Sequence, residues 1–167
     1  MGRNPENNRK HLIELVRDFD TAMLVTRGSD GTLRGRPLSV AREYDDGRLF
    51  FAIRVESLHV HELAGDPHVA VLFQDEQRHV SLSGTARLRR DRALIEELWS
   101  DTWKLWFPHG LDDPNLAIVE VRPTGGEYWD QTGLAGMRYL FAAMKAYATG
   151  AKPPDGEDEQ QHVKVPL

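Results

Sequence analysis

Two short turns constrain this chain more than any other feature. Ser29-Asp30-Gly31-Thr32 and Asp45-Asp46-Gly47 sit between runs with strand character: Thr21 to Thr26, Leu33 to Tyr44, and Leu49 to Ile53. Parallel strands need a crossover of a dozen or more residues between them, whereas turns this short join only antiparallel neighbours. A doubly wound parallel sheet, and with it Rossmann-type dinucleotide binding, is therefore unlike this chain. The expected frame is antiparallel hairpins.

The rest of the chain fits that frame. Leu12, Ile13, Leu15, Val16 and Phe19 recur at helical spacing, so Pro5 to Phe19 is expected to be an amphipathic helix. His68 to Phe73 is a short continuous apolar run of the kind buried on both faces. In the next strand His79, Ser81, Ser83, Thr85, Arg87 and Arg89 alternate with Val80, Leu82, Gly84, Ala86 and Leu88, so its two faces are separable by period two. Asp91 is expected to cap one helix carrying Ile95, Trp99, Trp103 and Trp106, ended by Pro108-His109-Gly110. Leu116 to Val121 and Gly126 to Trp129 read as two closing strands, and Met137 to Ala148 as a further helix. Thr149 to Gln161 is Pro/Gly-rich and acidic, and His162 to Val165 suits a last edge strand. Five to seven antiparallel strands with interspersed helices predict a mainly β (α+β) domain, a small antiparallel barrel with flanking helices over residues 1–150, followed by a tail over 151–167.

Composition narrows the functions open to such a fold. The chain has 167 residues, 40% of them hydrophobic, enough for one domain with a useful core. A formal charge of -5 and a pI near 5.8 lack the basic footprint that nucleic acid or an anionic membrane requires. Zero cysteines exclude a disulfide scaffold, an iron–sulfur cluster and a thiol nucleophile. Residues 1–8 hold no apolar leader core, so the expected location is the cytoplasm. P-loop, Gly-x-Ser-x-Gly and His-Glu-x-x-His signatures are absent.

The chemistry concentrates between Gly35 and Pro67. Strand alternation puts Arg36 on the face of Leu38 and Val40, and a cation among apolar neighbours requires a partner. Ser57 stands at the N-cap of a short helix from Leu58 to Ala64. A helix start offers unpaired N–H groups and partial positive charge, so Ser57 and Arg36 together suggest a seat for a phosphate. His59 and His61 form an His-x-His pair, but in a helix residues two apart point to nearly opposite sides, and no third ligand stands at usable spacing. No metal is expected. The tryptophans at helical spacing read as core, except Trp106 at the helix end, placed to reach a pocket or a partner.

Gly35-Arg36-Pro37-Leu38, Leu49-Phe50-Phe51 with Ser57 beyond, Asp66-Pro67-His68-Val69-Ala70-Val71, Trp106 to Pro114 and Glu127-Tyr128-Trp129-Asp130 resemble the general stress protein branch of the pyridoxamine 5'-phosphate oxidase-like, FMN-binding split-barrel family. The likeness reaches Lys145 to Gly150. It implies a Greek-key split barrel, paired as a homodimer with two FMN sites at the subunit interface. By that resemblance Arg36, Leu38 and Ser39 lie along the flavin and its phosphate, Ala52 and Ile53 sit under the ribityl phosphate, and Ser57 and His59 close the phosphate seat. His79 stands where the family often has glutamine, and Trp106 approaches the flavin. Ile53 and His59 depart from the family's common threonine and lysine. Losing a hydroxyl and a permanent cation is worth roughly 1–3 kcal/mol each, a tenfold or larger weakening of FMN. The basic C-terminal site of a true vitamin-B6 oxidase is also missing.

The resemblance thus implies a flavin-dependent oxidoreductase acting on an unknown small molecule with reduced nicotinamide as electron source. No catalytic residue is assigned. Two alternatives remain open: a non-enzymatic FMN-binding or cofactor-less barrel, and a barrel holding haem or a deazaflavin with His59 or His79 as contact.

Overall fold

The computed structural model describes residues 4–130, 145 and 161–167. The expected helix from Met137 to Ala148 and the acidic tail lie outside the described residues, except Lys145, which is helical, and Gln161, which opens a strand. The first helix, Pro5–Arg17 (α1), starts where Asn4 accepts from the Glu6 amide at 3.2 Å and Pro5 occupies a position whose N–H would be unpaired.

Strands Thr21–Arg27 (β1), Leu33–Glu43 (β2) and Leu49–Arg54 (β3) form an antiparallel meander, with Gly31 and Gly47 supplying the positive φ its turns demand. Helix Leu58–Gly65 (α2) leads to His68–Gln74 (β4) and Arg78–Arg89 (β5). Helix Arg92–Leu98 (α3) and a 3-10 helix, Asp101–Leu105, precede Leu116–Asp130 (β6), and Gln161–Pro166 (β7) follows. The sheet order is β3-β2-β1-β4-β5-β6-β7, and an added β3–β6 pairing closes six strands into a barrel.

β6 is where the barrel splits. Residues Leu116 to Val121 pair with β3, residues Gly125 to Asp130 pair with β7, and β5 runs along the other edge of both halves. The two closing strands expected from sequence are thus one strand of 15 residues. Pro123 sits in the stretch between its two partners, where a missing N–H costs no ladder bond on that side. Opposite it the register shifts between Ser83 and Gly84. A Cβ on Gly84 would lie 2.3 Å from the Arg122 carbonyl oxygen, so only glycine fits.

Two apolar clusters meet at β3. Phe51, Val71, Val119 and Tyr128 fill the barrel, with Leu12, Leu15 and Val16 of α1 packed on them. Phe50 faces outward to Ile95, Leu98, Trp103, Phe107 and Ile118. β3 is therefore covered on both sides, as its unbroken Leu-Phe-Phe-Ala-Ile requires, and so are residues Leu116 to Val121 of β6 that pair with it. β4 is not: Val69, Val71 and Phe73 point inward, while Leu72 on the other face is exposed. The single helix expected after Asp91 also differs. It breaks at Trp99 and Ser100, whose ψ angles of 135° and 137° are not helical, and restarts as the 3-10 helix, with the Trp103 amide donating to the Ser100 carbonyl. Ser and Asp favour such a break because they compete for backbone hydrogen bonds. The Asp91 carboxylate binds Arg89 Nε at 2.6 Å and makes no cap bond.

Candidate functional site

The end of β3, the middle of β2, the start of α2 and the segment around Trp103 to Phe107 enclose a cleft of about 350 Å³. Leu38, Ser39, Ala52 and Ile53 line it from the two strands; Ser57 and His59 line it from α2, and Trp106 from the segment beyond. A cleft of this size with apolar walls and a few polar groups at one end suits an amphipathic small molecule.

The polar end is built by α2. Ser57 is its N-cap, but the hydroxyl donates to the Arg54 carbonyl rather than capping the helix. The His59 ring lies beside it, Nε2 to Ser57 Oγ 3.3 Å. Because that hydroxyl proton is engaged, His59 Nε2 is the donor in this contact. Its Nδ1 is buried without a partner among the described residues, and the side chain is 5% exposed. Burial, then the Arg36 charge, push the imidazole below its usual pKa; Glu62 opposes this. His61, two residues on, is exposed, so the pair does not converge. Among the described residues no group of three or more metal-binding side chains comes together.

Arg36 and His79 do not line the cleft. Arg36 does share a face with Leu38 and Val40, and its guanidinium turns to the buried Glu62 of α2: Nη1 reaches Oε2 at 3.0 Å, Nη2 reaches Oε1 at 3.3 Å, and Nη1 also donates to Thr26 Oγ1 at 3.0 Å. Arg34 adds a bond to the same carboxylate at 3.0 Å. Burial raises the Glu62 pKa, but the bonds from Arg36 and Thr26 outweigh it and hold the group at about 2. Arg36 thereby pins α2 to the barrel wall. His79, on β5, pairs across the sheet with Gln74 of β4 and Trp129 of β6, and Trp129 stacks on His162 with ring centroids 4.7 Å apart.

Sequence reasoning passed over four lining residues: Pro37, Arg54, Trp103 and Phe107. Arg54 was detectable, since period two puts it on the face of Ala52. Its Nη1 donates to the Trp106 carbonyl at 3.1 Å, tying the strand end to the segment that carries Trp106. Trp106 itself is 54% exposed at the cleft mouth.

A six-stranded antiparallel barrel split along one strand, with an amphipathic cleft where a helix starts, defines the split-barrel class. The model of the family described as pyridoxamine 5'-phosphate oxidase like matches residues 7–155, and the chain belongs to that family. Within it, the chain is homologous to general stress protein 26: it is 28% identical over 86 residues to General stress protein 26 of Bacillus subtilis, covering 48% of this chain and 61% of that protein. It is 28% identical over 119 residues to Protein bli-3 of Neurospora crassa, covering 64% and 57%. The matches thus span about three fifths of the length of these curated relatives.

Solved structures agree in fold. A candidate general stress protein 26 from a Jannaschia species superposes with a TM-score of 0.73 at 24% identity, covering 98% of this chain and 100% of that one. The general stress FMN/FAD binding protein of Xanthomonas citri gives 0.67 at 23%, covering 77% and 92%. No helix among the described residues is long and apolar enough to cross a membrane.

Proposed function

We propose that the chain is an FMN-binding protein of the general stress type, holding the cofactor in the cleft between β2, β3 and α2 and acting on a small molecule with reduced nicotinamide as electron donor. The observation that carries this reading is convergence: Leu38, Ser39, Ala52, Ile53, Ser57, His59 and Trp106, each named from the family resemblance, line one cavity. The donor set fits the group. The first N–H groups of α2 and the Arg54 guanidinium suit a phosphate, while Leu38, Ala52, Ile53 and the aromatic segment suit a planar apolar body.

Bound FMN supplies hydride transfer, a chemistry no side chain here provides. The protein's part is to seat the phosphate, exclude water through its apolar walls, and orient the ring against Trp106. The working unit is a homodimer in the cytoplasm; Met23, Leu72 and Trp106 leave exposed apolar surface suited to cover by a second copy. A second reading, a barrel that binds FMN weakly and performs no redox chemistry, is favoured by the apolar Ile53 and the neutral, buried His59. The absorption spectrum of the freshly purified protein, followed by FMN titration and assay of nicotinamide oxidation, decides between them. Flavin bands and turnover support the first; binding without turnover supports the second; no binding removes both.

A further inference from the structure

We propose that Arg54 is the residue that selects a phosphate monoester in the cleft, in place of the β2 arginine. This rests on the reading of the cleft as a flavin site and extends it to how the anion is recognised.

Arg36, His59 and Arg54 are the basic side chains that the family resemblance or the lining of the cleft brings to α2, and the first two are committed elsewhere. Arg36 gives its guanidinium to Glu62 and Thr26, and withdrawing it would leave a carboxylate only 6% exposed with Arg34 and Thr26. His59 is uncharged in the free protein, with Nε2 turned to Ser57. Arg54 differs from both. Its hydrogen bond is to a neutral carbonyl, that of Trp106, and no carboxylate lies within ion-pair distance among the described residues. Other arginines of these sheets are paired: Arg34 with Asp30 and Glu62, Arg42 with Glu97, Arg89 with Asp91 and Glu120. A guanidinium carries five donors in a planar fork, so Arg54 keeps a free edge toward the cleft it lines.

The start of α2 alone would be no site. The second observation is His59, 5% exposed, lining the same cleft, with Nδ1 buried and unpartnered among the described residues. Arg54 and the first amides of α2 stand at the end of the cavity that Ser57 and His59 line, and donors so placed match a dianionic phosphate ester and give an uncharged alcohol far less. The bond from Arg54 to Trp106 adds a link: the cation that meets the anion also fixes the aromatic wall.

The test measures binding of FMN, riboflavin and phenyl phosphate, by fluorescence quenching, to the wild-type chain, Arg54→Gln and Arg54→Lys. Glutamine keeps an N–H for the Trp106 carbonyl and removes the charge. The wild type is expected to prefer FMN over riboflavin by about tenfold or more. In Arg54→Gln that preference collapses while riboflavin binds as before, and Arg54→Lys recovers part of it. A preference for FMN that survives Arg54→Gln overturns the proposal and leaves the flavin reading standing. If neither flavin binds but phenyl phosphate does, and Arg54→Gln abolishes it, the anion seat stands and the flavin reading falls. If none of the three binds to the wild type, both fall.

Discussion

Arg36 holds Glu62 through both ends of its guanidinium, at 3.0 and 3.3 Å, across the junction between β2 and α2. The strand that lines the cleft and the helix that closes it are joined by this pair. Arg36→Ala leaves the buried carboxylate with Arg34 and Thr26 and is expected to destabilise the fold by about 2–3 kcal/mol, below the full cost of orphaning a buried charge because partners remain. Urea midpoints of Arg36→Ala, Glu62→Gln and the double variant check it. Strictly additive losses would count against a coupled pair.

Glu120 makes the second prediction. It is fully buried on β6 beneath Arg87, Arg89 and Arg122, each donating to its carboxylate at 2.6 to 2.9 Å. Burial raises its pKa, but the bonds from Arg122, Arg87 and Arg89 outweigh that and hold it at about 2. A carboxylate depressed in the folded state contributes stability above its unfolded pKa, near ~4.5, and loses it as pH falls toward the folded value. Glu62 titrates in the same window. Unfolding free energy should therefore fall between about pH 4.5 and about pH 2. Glu120→Gln is expected to be less stable at pH 7 and to show a shallower acid decline; a decline of unchanged slope would remove Glu120 as its source.

His59 sets the third. Its imidazole is pushed below the usual value by burial and by Arg36, so the folded free protein gains stability as pH rises through the unfolded histidine range near ~6.5. A bound phosphate dianion reverses the balance and draws a proton onto Nδ1, the ring nitrogen left without a partner. FMN affinity is expected to be greatest in mildly acid solution and to weaken as pH climbs through the bound-state pKa, with the phosphate's own titration near ~6 limiting the acid side. His59→Lys should flatten that decline, and His59→Ala should bind weakly throughout. Superimposable titrations of all three proteins would leave His59 outside the site.

Met23 and Leu72 face each other on β1 and β4, 40% and 39% exposed. An apolar pair in the middle of a bare sheet face is suited to cover by a second copy. Light scattering should return twice 19.0 kDa at micromolar concentration, and Met23→Lys with Leu72→Lys should return 19.0 kDa. A wild-type monomer at all concentrations ends the idea.

What the sequence made legible was local. The turns at Ser29 and Asp45, the helix start at Ser57 and the two faces of β5 follow from residues within a few positions of one another. The unbroken β6 was not legible, because Pro123-Thr124-Gly125 reads as a stop and is tolerated only where β3 gives way to β7. Alternation required a partner for Arg36 but did not name Glu62, on another element 26 residues away. Period two put Arg54 on the face of Ala52, but only its neighbour across space, Trp106, sets it apart from the other arginines on strand rims.

The division of β6 between two neighbours also has a temporal side. The outer edge of β3 finds its partner only in Leu116 to Val121, after α2, β4, β5 and α3 have all intervened. On a growing chain that edge, including the doubly apolar Phe50-Phe51, waits unpaired until β6 has emerged. Closure of such distant segments is slow because the loop entropy is lost before the ladder forms. The wall of the cleft thus includes an edge that stays open to wrong pairing until late in synthesis.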